Sequence, residues 1–275
     1  MKTLYLDLGM GAAGDMLTAA LLELMPDREE ALASLNGLGL PGVVYTVETA
    51  QKCGILGTHM HVRIHGQEEK PSQDLPEHGH GHEHEHEHTH GHTHEHAHEH
   101  DHEHPHSHTA LADIQALVSG LSVSEAVKAQ VLEVYRRIAQ AESQVHGVPV
   151  DRIHFHEVGS LDALADVTAV CYLLERLAPE EILASPVQVG FGKTRCAHGI
   201  LPVPTPATAR ILLGVPIRAG DIPGELCTPT GAALLRQFVT DYGPMPLMTV
   251  ERIGYGLGTK DFPAANCLRA MLGTG

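Results

Sequence analysis

The sequence lacks the patterns that define disulfide-rich, membrane-spanning and nucleic-acid-binding proteins. Its five cysteines are an odd number without a C-x-x-C pair, which argues against a disulfide framework and a zinc knuckle. No apolar stretch is long enough to cross a bilayer, and Asp7 comes too early for a secretory signal. The net charge of −16 comes without the basic stripe of a nucleic-acid binder. We therefore expect a protein of the reducing cytoplasm that binds neither nucleic acid nor membrane.

The most informative feature that is present is a run of histidines inside the chain. Sixteen of the 23 histidines occupy every even position from 78 to 108, mostly alternating with acidic and small residues. Such a run has too little apolar surface to form a core, so we expect residues 67–108 to be a disordered insert. A purification tag or an inert tract is the alternative, but a tag is rarely internal. Because neutral imidazoles bind nickel, zinc and copper well, the run predicts transition-metal binding. The candidate ligands in it are His84, His86, His88, His90, His92, His94, His96, His98, His100, His102 and His104.

Outside the insert, strand and helix patterns alternate, which predicts the α/β class with a mixed sheet flanked by helices. Residues 1–66 are expected to form an N-terminal α/β segment, and residues 109–275 the helical and α/β remainder of the same globular body. The predicted strands are Thr3–Leu8, Val43–Thr49, His59–Ile64, Ile182–Val189 and Val250–Tyr255, the last of which closes the fold. The predicted helices are Asp15–Leu24, Glu29–Leu35, Ala110–Val118, a long helix capped by Ser122 and Glu125 and ended by Gly147, Leu161–Leu177, and two that begin at Thr205-Pro206 and Thr228-Pro229.

The segment Gly9–Gly14 matches the G-x-G-x-x-G pattern between a strand and a helix. The acidic residue that should end a second strand about 20 residues later is missing, so tight-turn glycines explain the pattern better than dinucleotide binding does. Asp15 either complements the helix dipole or joins Asp7 around a metal or a sugar hydroxyl. The candidate cofactor-binding residues here are Asp7, Gly11, Gly14 and Asp15.

A second cluster lies at residues 154–166. In an extended chain His154 and His156 share one face, which is a common arrangement for a metal, while Glu157 is available as a base or as a partner of a ligand. Asp162 and Asp166 follow at helical spacing i, i+4, so their carboxylates lie on one face. The alternative is a hydrogen-bonded histidine beside a solvated acidic face.

A third cluster lies at residues 190–199. Its glycines, Lys193 and Arg195 can hold a phosphate, and Cys196 with His198 can bind a borderline metal. An ordinary hairpin turn with a surface histidine is the alternative. The helix start at Thr228 and Thr230 either binds an anion through free N–H groups or is simply capped.

Several motifs in one order resemble the LarC family of nickel-insertion proteins, which complete the nickel pincer nucleotide of lactate racemase. The matching segments are Leu6-Asp7 through Gly14-Asp15-Met16, Phe155-His-Glu-Val-Gly159, Ala197-His-Gly-Ile-Leu-Pro-Val-Pro204, Glu225-Leu-Cys-Thr-Pro-Thr-Gly231 and the tail from Lys260 to Asn266, with the histidine-rich insert between the first two.

The resemblance implies a cyclometallation of a pyridinium-3,5-bisthiocarboxylate mononucleotide. Nickel is placed between the two sulfurs and bonded to a ring carbon, while CTP is hydrolysed to CMP and pyrophosphate with manganese or magnesium assisting. It also implies that the chain corresponds to the family's N-terminal module, with the CTP site on a C-terminal module. The partners implied are that module, the lactate racemase apoenzyme and further copies of the chain in a homo-oligomer.

The chemistry of the step assigns roles to three residues. Replacing a ring C–H bond by a C–Ni bond requires a base, for which we favour His156 or Glu157, and Lys193 is a further catalytic candidate. The alternative function is a nickel storage protein or metallochaperone without catalysis, and a nicotinamide oxidoreductase is a distant third.

Overall fold

The computed structural model describes residues 1–68, 73–74, 109–155, 157–196 and 198–275, without the side chains of residues 73, 74 and 157. Most of the histidine-rich insert therefore lies outside the described residues. The α-helices in the described part are α1 (Gly14–Glu23), α2 (Arg28–Asn36), α3 (Leu111–Ser119), α4 (Glu125–His146), α5 (Leu161–Leu177), α6 (Pro206–Ile211) and α7 (Pro229–Phe238). The strands are β1 (Lys2–Asp7), β2 (Val43–Lys52), β3 (Ile55–Ile64), β4 (Gln67–Glu68), β5 (Gln73–Asp74), β6 (Thr109–Ala110), β7 (His154–Phe155), β8 (Glu181–Ala184), β9 (Val187–Gln188), β10 (Gly190–Phe191), β11 (Lys193–Cys196), β12 (Gly199–Pro202), β13 (Ile217–Arg218), β14 (Gly224–Glu225), β15 (Asp241–Tyr242), β16 (Thr249–Leu257) and β17 (Cys267–Thr274).

These elements confirm the α/β class with a mixed sheet flanked by helices. The main sheet has eight strands in the order β15-β8-β1-β17-β16-β3-β2, with β4 paired to β3. Strands β15, β8, β1, β16 and β3 run parallel to one another, whereas β17 and β2 run antiparallel to their neighbours. The carboxyl ends of β1, β16 and β3 therefore lie at the same edge of the sheet, which is where α/β proteins bind ligands.

The helix predicted at Leu161–Leu177 is confirmed as α5, but three details of the sequence interpretation are wrong. Helix α4 is capped by Ser124, whose hydroxyl accepts a hydrogen bond from the amide of Val127, so Ser122 is not the cap. The strand predicted at Ile182–Val189 is two strands, β8 and β9, because Ser185-Pro186 interrupts it. Strand β16 does not close the fold, since β17 follows it and lies near the middle of the sheet.

Helices α1, α5 and α7 pack together on one face of the sheet. Leu4 and Leu6 of β1, Leu17 and Leu21 of α1, Val170 and Leu174 of α5, and Leu234 and Leu235 of α7 surround one apolar region of the core. The hydroxyl of Tyr45 on β2 adds a hydrogen bond of 2.8 Å to the carbonyl of Ala165 on α5. The sheet and these three helices therefore form one packed unit.

Two glycines allow α1 to lie unusually close to its neighbours. A Cβ atom at Gly256 of β16 would lie 1.8 Å from the carbonyl oxygen of Met16, and one at Gly14 would lie 2.4 Å from a carboxylate oxygen of Asp166. Neither position has room for a side chain, so glycine sets the distance of α1 from β16 and from α5. Among the described residues, no helix combines the length and apolar character needed to cross a membrane.

Candidate functional site

A cavity of about 640 Å³ lies at the carboxyl ends of the parallel strands. Strand β16 pairs with β3 only at Gly256 and Leu257, and β4 pairs with β3 only from Arg63 onward. The sheet is therefore split alongside Met60, His61 and Val62, and these residues line the cavity together with His59 and Glu68. A split between neighbouring strands at this edge of an α/β sheet is a favoured place for a ligand.

The amino-terminal ends of three helices meet at the same cavity. Its lining includes Ala13 and Gly14 at the start of α1, Ser160 before α5, and Thr228 before α7. The side chains of Ser160 and Thr228 cap their own helices by accepting hydrogen bonds from Ala163 and Gly231, whereas Ala13 makes no side-chain cap. Helix amino termini carry partial positive charge, so this arrangement favours anionic groups of a ligand.

His59 and His61 form a pair of imidazoles on the cavity wall. They are two residues apart on β3, and their ring centroids are 4.4 Å apart. The Nδ1 atom of His61 lies 2.8 Å from Oε1 of Glu68, and its Nε2 lies 3.3 Å from Oε2 of Glu48. Burial lowers the pKa of His59, and the neighbouring His61 lowers it further. His59 is therefore favoured as a neutral imidazole, the form that binds a metal ion.

Carboxylates dominate the charge of the cavity wall. The acidic residues among the described part of the lining are Asp15, Glu68, Asp162, Asp166 and Glu225, and Lys260 is the one lysine or arginine among these described residues. Burial raises the pKa of Asp15 to about 6, although hydrogen bonds, chiefly from the Met16 amide, oppose the shift. Asp162 and Asp166 both reach the cavity, as their i, i+4 spacing predicts.

The Gly9–Gly14 segment is a packing motif in this fold. Gly11 has φ +81°, and a Cβ there would lie 2.0 Å from the carbonyl oxygen of Leu226. Ala12 forms a parallel bridge with Cys227, so the loop after β1 lies directly against the chain that leads into α7. Asp7 pairs with Arg269 at 2.6 Å and is not part of the cavity lining, whereas Asp15 is. The predicted pairing of Asp7 with Asp15 around one ligand therefore has no support from the lining.

The described residues of the 190–199 segment are not among those that line the cavity. Strands β11 and β12 form a hairpin in which Lys193 is exposed and Cys196 is partly buried. His198 is exposed at its turn and stacks on His146 at the end of α4, with ring centroids 4.8 Å apart. His146 in turn lies 3.2 Å from a carboxylate oxygen of Glu142. The structure thus brings His198 to a surface pair and not to His59.

The 154–157 segment is only partly described. His154 is exposed on β7, which pairs with β6, while His156 and the side chain of Glu157 lie outside the described residues. Val158 and Ser160, which follow directly, line the cavity. Thr230 lines it as well, next to Thr228. The roles predicted for all of these residues stay predictions.

The two ends of the histidine-rich insert are held by the hairpin and by the 154–155 strand. Near the start of the insert, and before its histidine run, β5 pairs with β11 at Thr194 and Arg195. After it, β6 pairs with β7 at His154 and Phe155. The candidate ligands His84 to His104 lie outside the described residues.

The sequence interpretation missed His59 and His61. The signal was the H-x-H pattern within the predicted strand His59–Ile64, which places both side chains on one side of the strand. It also missed that Gly254 and Gly256, two residues apart on β16, mark a strand over which helix α1 passes closely.

In the part of the chain that the structure describes, no three His, Cys, Asp or Glu side chains are grouped closely enough to hold a metal ion. The described cavity therefore contains a pair of imidazoles and several carboxylates but no complete metal centre.

The fold and the cavity define an α/β protein with a ligand site at the carboxyl ends of parallel strands, and sequence comparison then assigns the family. Residues 4–275 match the family described as "Nickel insertion protein", so this chain belongs to that family. No solved structure matches the chain.

Three relatives are similar over 99% of the chain, and each is named "Pyridinium-3,5-bisthiocarboxylic acid mononucleotide nickel insertion protein". The proteins from Desulfitobacterium hafniense (strain DSM 10664 / DCB-2), Geobacillus kaustophilus (strain HTA426) and Clostridium kluyveri (strain ATCC 8527) are 38%, 37% and 37% identical to it. The chain spans 58%, 60% and 62% of their respective lengths.

Proposed function

We propose that this chain supplies the nucleotide-binding and nickel-inserting part of a protein that forms the nickel pincer nucleotide. The family match and the relatives' names support nickel as the metal and the pyridinium bisthiocarboxylate mononucleotide as the substrate. The single observation that carries the proposal is the cavity of about 640 Å³ at the sheet edge. That volume lies within the range of about 300–1,000 Å³ typical of sites for small organic ligands.

The lining suggests an orientation for this nucleotide. Its phosphate is anionic and would lie towards the helix starts at Gly14, Ser160 and Thr228 and towards Lys260. Its pyridinium ring is cationic and would lie near the carboxylates of the wall. This placement positions the ring close to His59 and Asp15.

The insertion step needs a base. Nickel(II) replaces one ring hydrogen, so a C–H bond breaks, a C–Ni bond forms and a proton leaves without any change in the metal's oxidation state. We retain His156 and Glu157 as candidates, because Val158 and Ser160 just after them line the cavity. Asp15 is a further candidate, since a pKa of about 6 suits a general base near neutral pH. Lys193 is exposed on the β11–β12 hairpin, so its catalytic role is the weakest of these proposals.

We propose that CTP binds outside this cavity. A triphosphate is strongly anionic, and the described lining offers Lys260 against five carboxylates. We therefore assign CTP, with its manganese or magnesium, to the part of the relatives that this chain does not match. We also propose the lyase class, the cytoplasm, self-association and the lactate racemase apoenzyme as a partner, on the family resemblance.

The test is conversion of the apo-nucleotide by the chain together with the C-terminal remainder of a full-length relative, Ni²⁺, CTP and Mg²⁺, followed by mass spectrometry. We expect nickel nucleotide to form, and His156→Ala to lose conversion while it still binds nucleotide. Normal conversion by His156→Ala would remove that base, and no binding of nucleotide by the chain would remove the cavity proposal.

A second arm separates insertion from metal storage. Replacing the histidines at positions 78–108 by serine should lower conversion only when nickel is scarce, because the insert raises the local nickel concentration. Loss of all conversion at saturating nickel would favour the storage or metallochaperone function.

A further inference from the structure

His59 and His61 place two neighbouring imidazoles on the wall of the cavity. Their spacing of two residues puts both side chains on one side of β3, with ring centroids 4.4 Å apart. The strand is unpaired by β16 or β4 between His59 and Arg63, so the pair borders the split in the sheet. This pair is distinct from every group that the sequence patterns single out.

Each ring nitrogen of His61 contacts a carboxylate, and the two contacts differ in length. With Nδ1 protonated, His61 donates to Glu68 over 2.8 Å, which is the carboxylate–histidine arrangement that orients metal ligands. Its Nε2 has the longer contact of 3.3 Å with Glu48, and this contact is the one that an incoming ion would replace. His59 makes a similarly long contact of 3.4 Å from Nε2 to the hydroxyl of Thr259.

The incompleteness of the pair suits an ion that must be passed on. A closed site of four protein ligands retains its metal, whereas an open site leaves positions for a substrate. Two imidazoles bind nickel, and the softer sulfurs of a bisthiocarboxylate can complete the coordination and then take the ion over. This agrees with the absence of any group of three candidate ligands among the described residues.

The negative charge of the cavity wall affects the order in which nickel and the nucleotide bind. Asp15, Glu68 and the other three cavity carboxylates disfavour an anionic nucleotide in the absence of a cation. A nickel ion held by the two imidazoles would attract the thiocarboxylates to the same place. Nickel and nucleotide should therefore strengthen each other's binding by the same factor.

We propose that His59 and His61 form a two-imidazole seat for the nickel ion, and that the thiocarboxylate sulfurs of the nucleotide complete its coordination. The proposal rests on the proposed function, because it takes the cavity as the nucleotide site. It assigns the ion's position before insertion and makes nickel binding a condition for tight nucleotide binding.

The test uses the full chain with the sixteen histidines of positions 78–108 replaced by serine, which removes their background. Ni²⁺ affinity is measured by competition with a chromophoric chelator. We expect His59→Gln and His61→Gln each to weaken it by about tenfold or more, since loss of an orienting partner alone costs about 10–100-fold. His65→Asn is the matched control, because His65 is exposed beyond the end of β3 at φ +51°, a conformation that asparagine tolerates.

X-ray absorption spectroscopy at the nickel edge tests whether imidazoles coordinate the ion, and it needs no substitution in the cavity. The serine parent should show imidazole scattering with Ni²⁺ alone, and sulfur scattering after the apo-nucleotide is added. Absence of imidazole scattering, or no nickel binding up to millimolar Ni²⁺, overturns the proposal. Unchanged Ni²⁺ affinity in both glutamine variants overturns it as well.

Nucleotide binding is measured with and without Ni²⁺ to separate the two proposals. We expect Ni²⁺ to strengthen it about 5–150-fold in the parent and in His65→Asn, and to have little effect in the glutamine variants. If the nucleotide binds but Ni²⁺ does not raise its affinity, the proposed nickel site at His59 and His61 is wrong, and the nucleotide site stands. If the nucleotide binds under neither condition, the proposed function fails.

Discussion

The described part of the protein contains two pairs of neighbouring imidazoles with nearly the same geometry. His59 and His61 have ring centroids 4.4 Å apart with planes at 35°, and His146 and His198 have centroids 4.8 Å apart with planes at 29°. The first pair lines the cavity between β3 and the end of β16. The second lies outside that lining, where the end of α4 meets the turn of a hairpin.

The surroundings of the two pairs differ more than the pairs themselves. His61 contacts two carboxylates, Glu48 and Glu68, at the edge of a cavity large enough for a nucleotide. His146 contacts Glu142 on its own helix, one turn earlier. Both places bring two imidazoles together, but of these two pairs the first is the one that lines the cavity. The predictions below test what the surrounding scaffold contributes.

The largest effect is expected where α1 touches the sheet beside the cavity pair. In Gly256→Ala the new Cβ would lie 1.8 Å from the carbonyl oxygen of Met16, so the helix or the strand must move. We expect a loss of about 3 kcal/mol in the free energy of unfolding, measured by urea denaturation. Gly243→Ala is the control, because nothing lies within 4 Å of a Cβ there. Equal stability of the two variants would contradict the close packing of α1.

The second effect concerns Asp15 and depends on pH. Its pKa is about 6 in the folded protein against 3.8 ordinarily, so between these values the folded protein holds a proton that the unfolded chain releases. Stability contributed by this group is therefore present below about pH 4 and is lost as pH rises through about 6. A shift of this size corresponds to about 1–3 kcal/mol once the partial exposure of the side chain is allowed for.

We compare the free energy of unfolding of Asp15→Asn with that of the original protein. We expect the variant to gain about 1–3 kcal/mol relative to the original protein between about pH 4 and about pH 7. The measurement is urea denaturation of chelator-treated protein at both pH values. A difference that does not change with pH would show that Asp15 titrates normally.

The third effect tests the tether between β2 and α5 behind the cavity pair. Tyr45→Phe removes the hydrogen bond to the Ala165 carbonyl and leaves that buried acceptor without this donor. We expect a loss of about 1–2 kcal/mol in the free energy of unfolding. Tyr172→Phe is the control, because the Tyr172 hydroxyl contacts the partly exposed Arg176 and its loss should cost about 0.5 kcal/mol or less. Similar losses of unfolding free energy in the two variants would mean that the hydrogen bond from Tyr45 to Ala165 contributes little to stability.

The smallest effect is expected at the surface pair. His146→Gln removes the contact with Glu142 at i, i+4, which at a partly exposed position stabilises the protein by about 0.3–0.5 kcal/mol. The midpoint temperature of thermal unfolding should therefore change by no more than about 2 °C. A larger change would show that the stack with His198 holds the hairpin to α4. The surface pair would then matter more to the protein than its surroundings indicate.

Much of the fold could be predicted because the signals are local. The bounds predicted for α5, Leu161–Leu177, are the observed ones, and proline after threonine marks the starts of α6 and α7. The capping box at Ser122 was wrong because Ser124, two residues on, offers the same hydroxyl and is the one that caps Val127. Strand β17 was missed because its place near the centre of the sheet depends on pairing with β1, more than 260 residues away.

The candidate site divides in the same way. Asp15, Asp162 and Thr228 of its lining were found because motifs at helix starts are local. His59 and His61 were not singled out, because an H-x-H pattern in a strand gains meaning only when the opposite wall is known. That wall comes from α1, α5, α7 and the chain after β16, which are far apart in the sequence.

By itself the sequence determined the class of fold, the nickel-insertion family and the histidine-rich composition of the insert, because these follow from local periodicity, motif order and residue type. Only the tertiary structure decided which reactive side chains share a cavity. Close packing at Gly14 and Gly256 sets where α1 lies, and the end of β16 at Leu257, opposite His59, leaves the space beside His61 open. Both depend on contacts between segments distant in the chain, which local pattern does not encode.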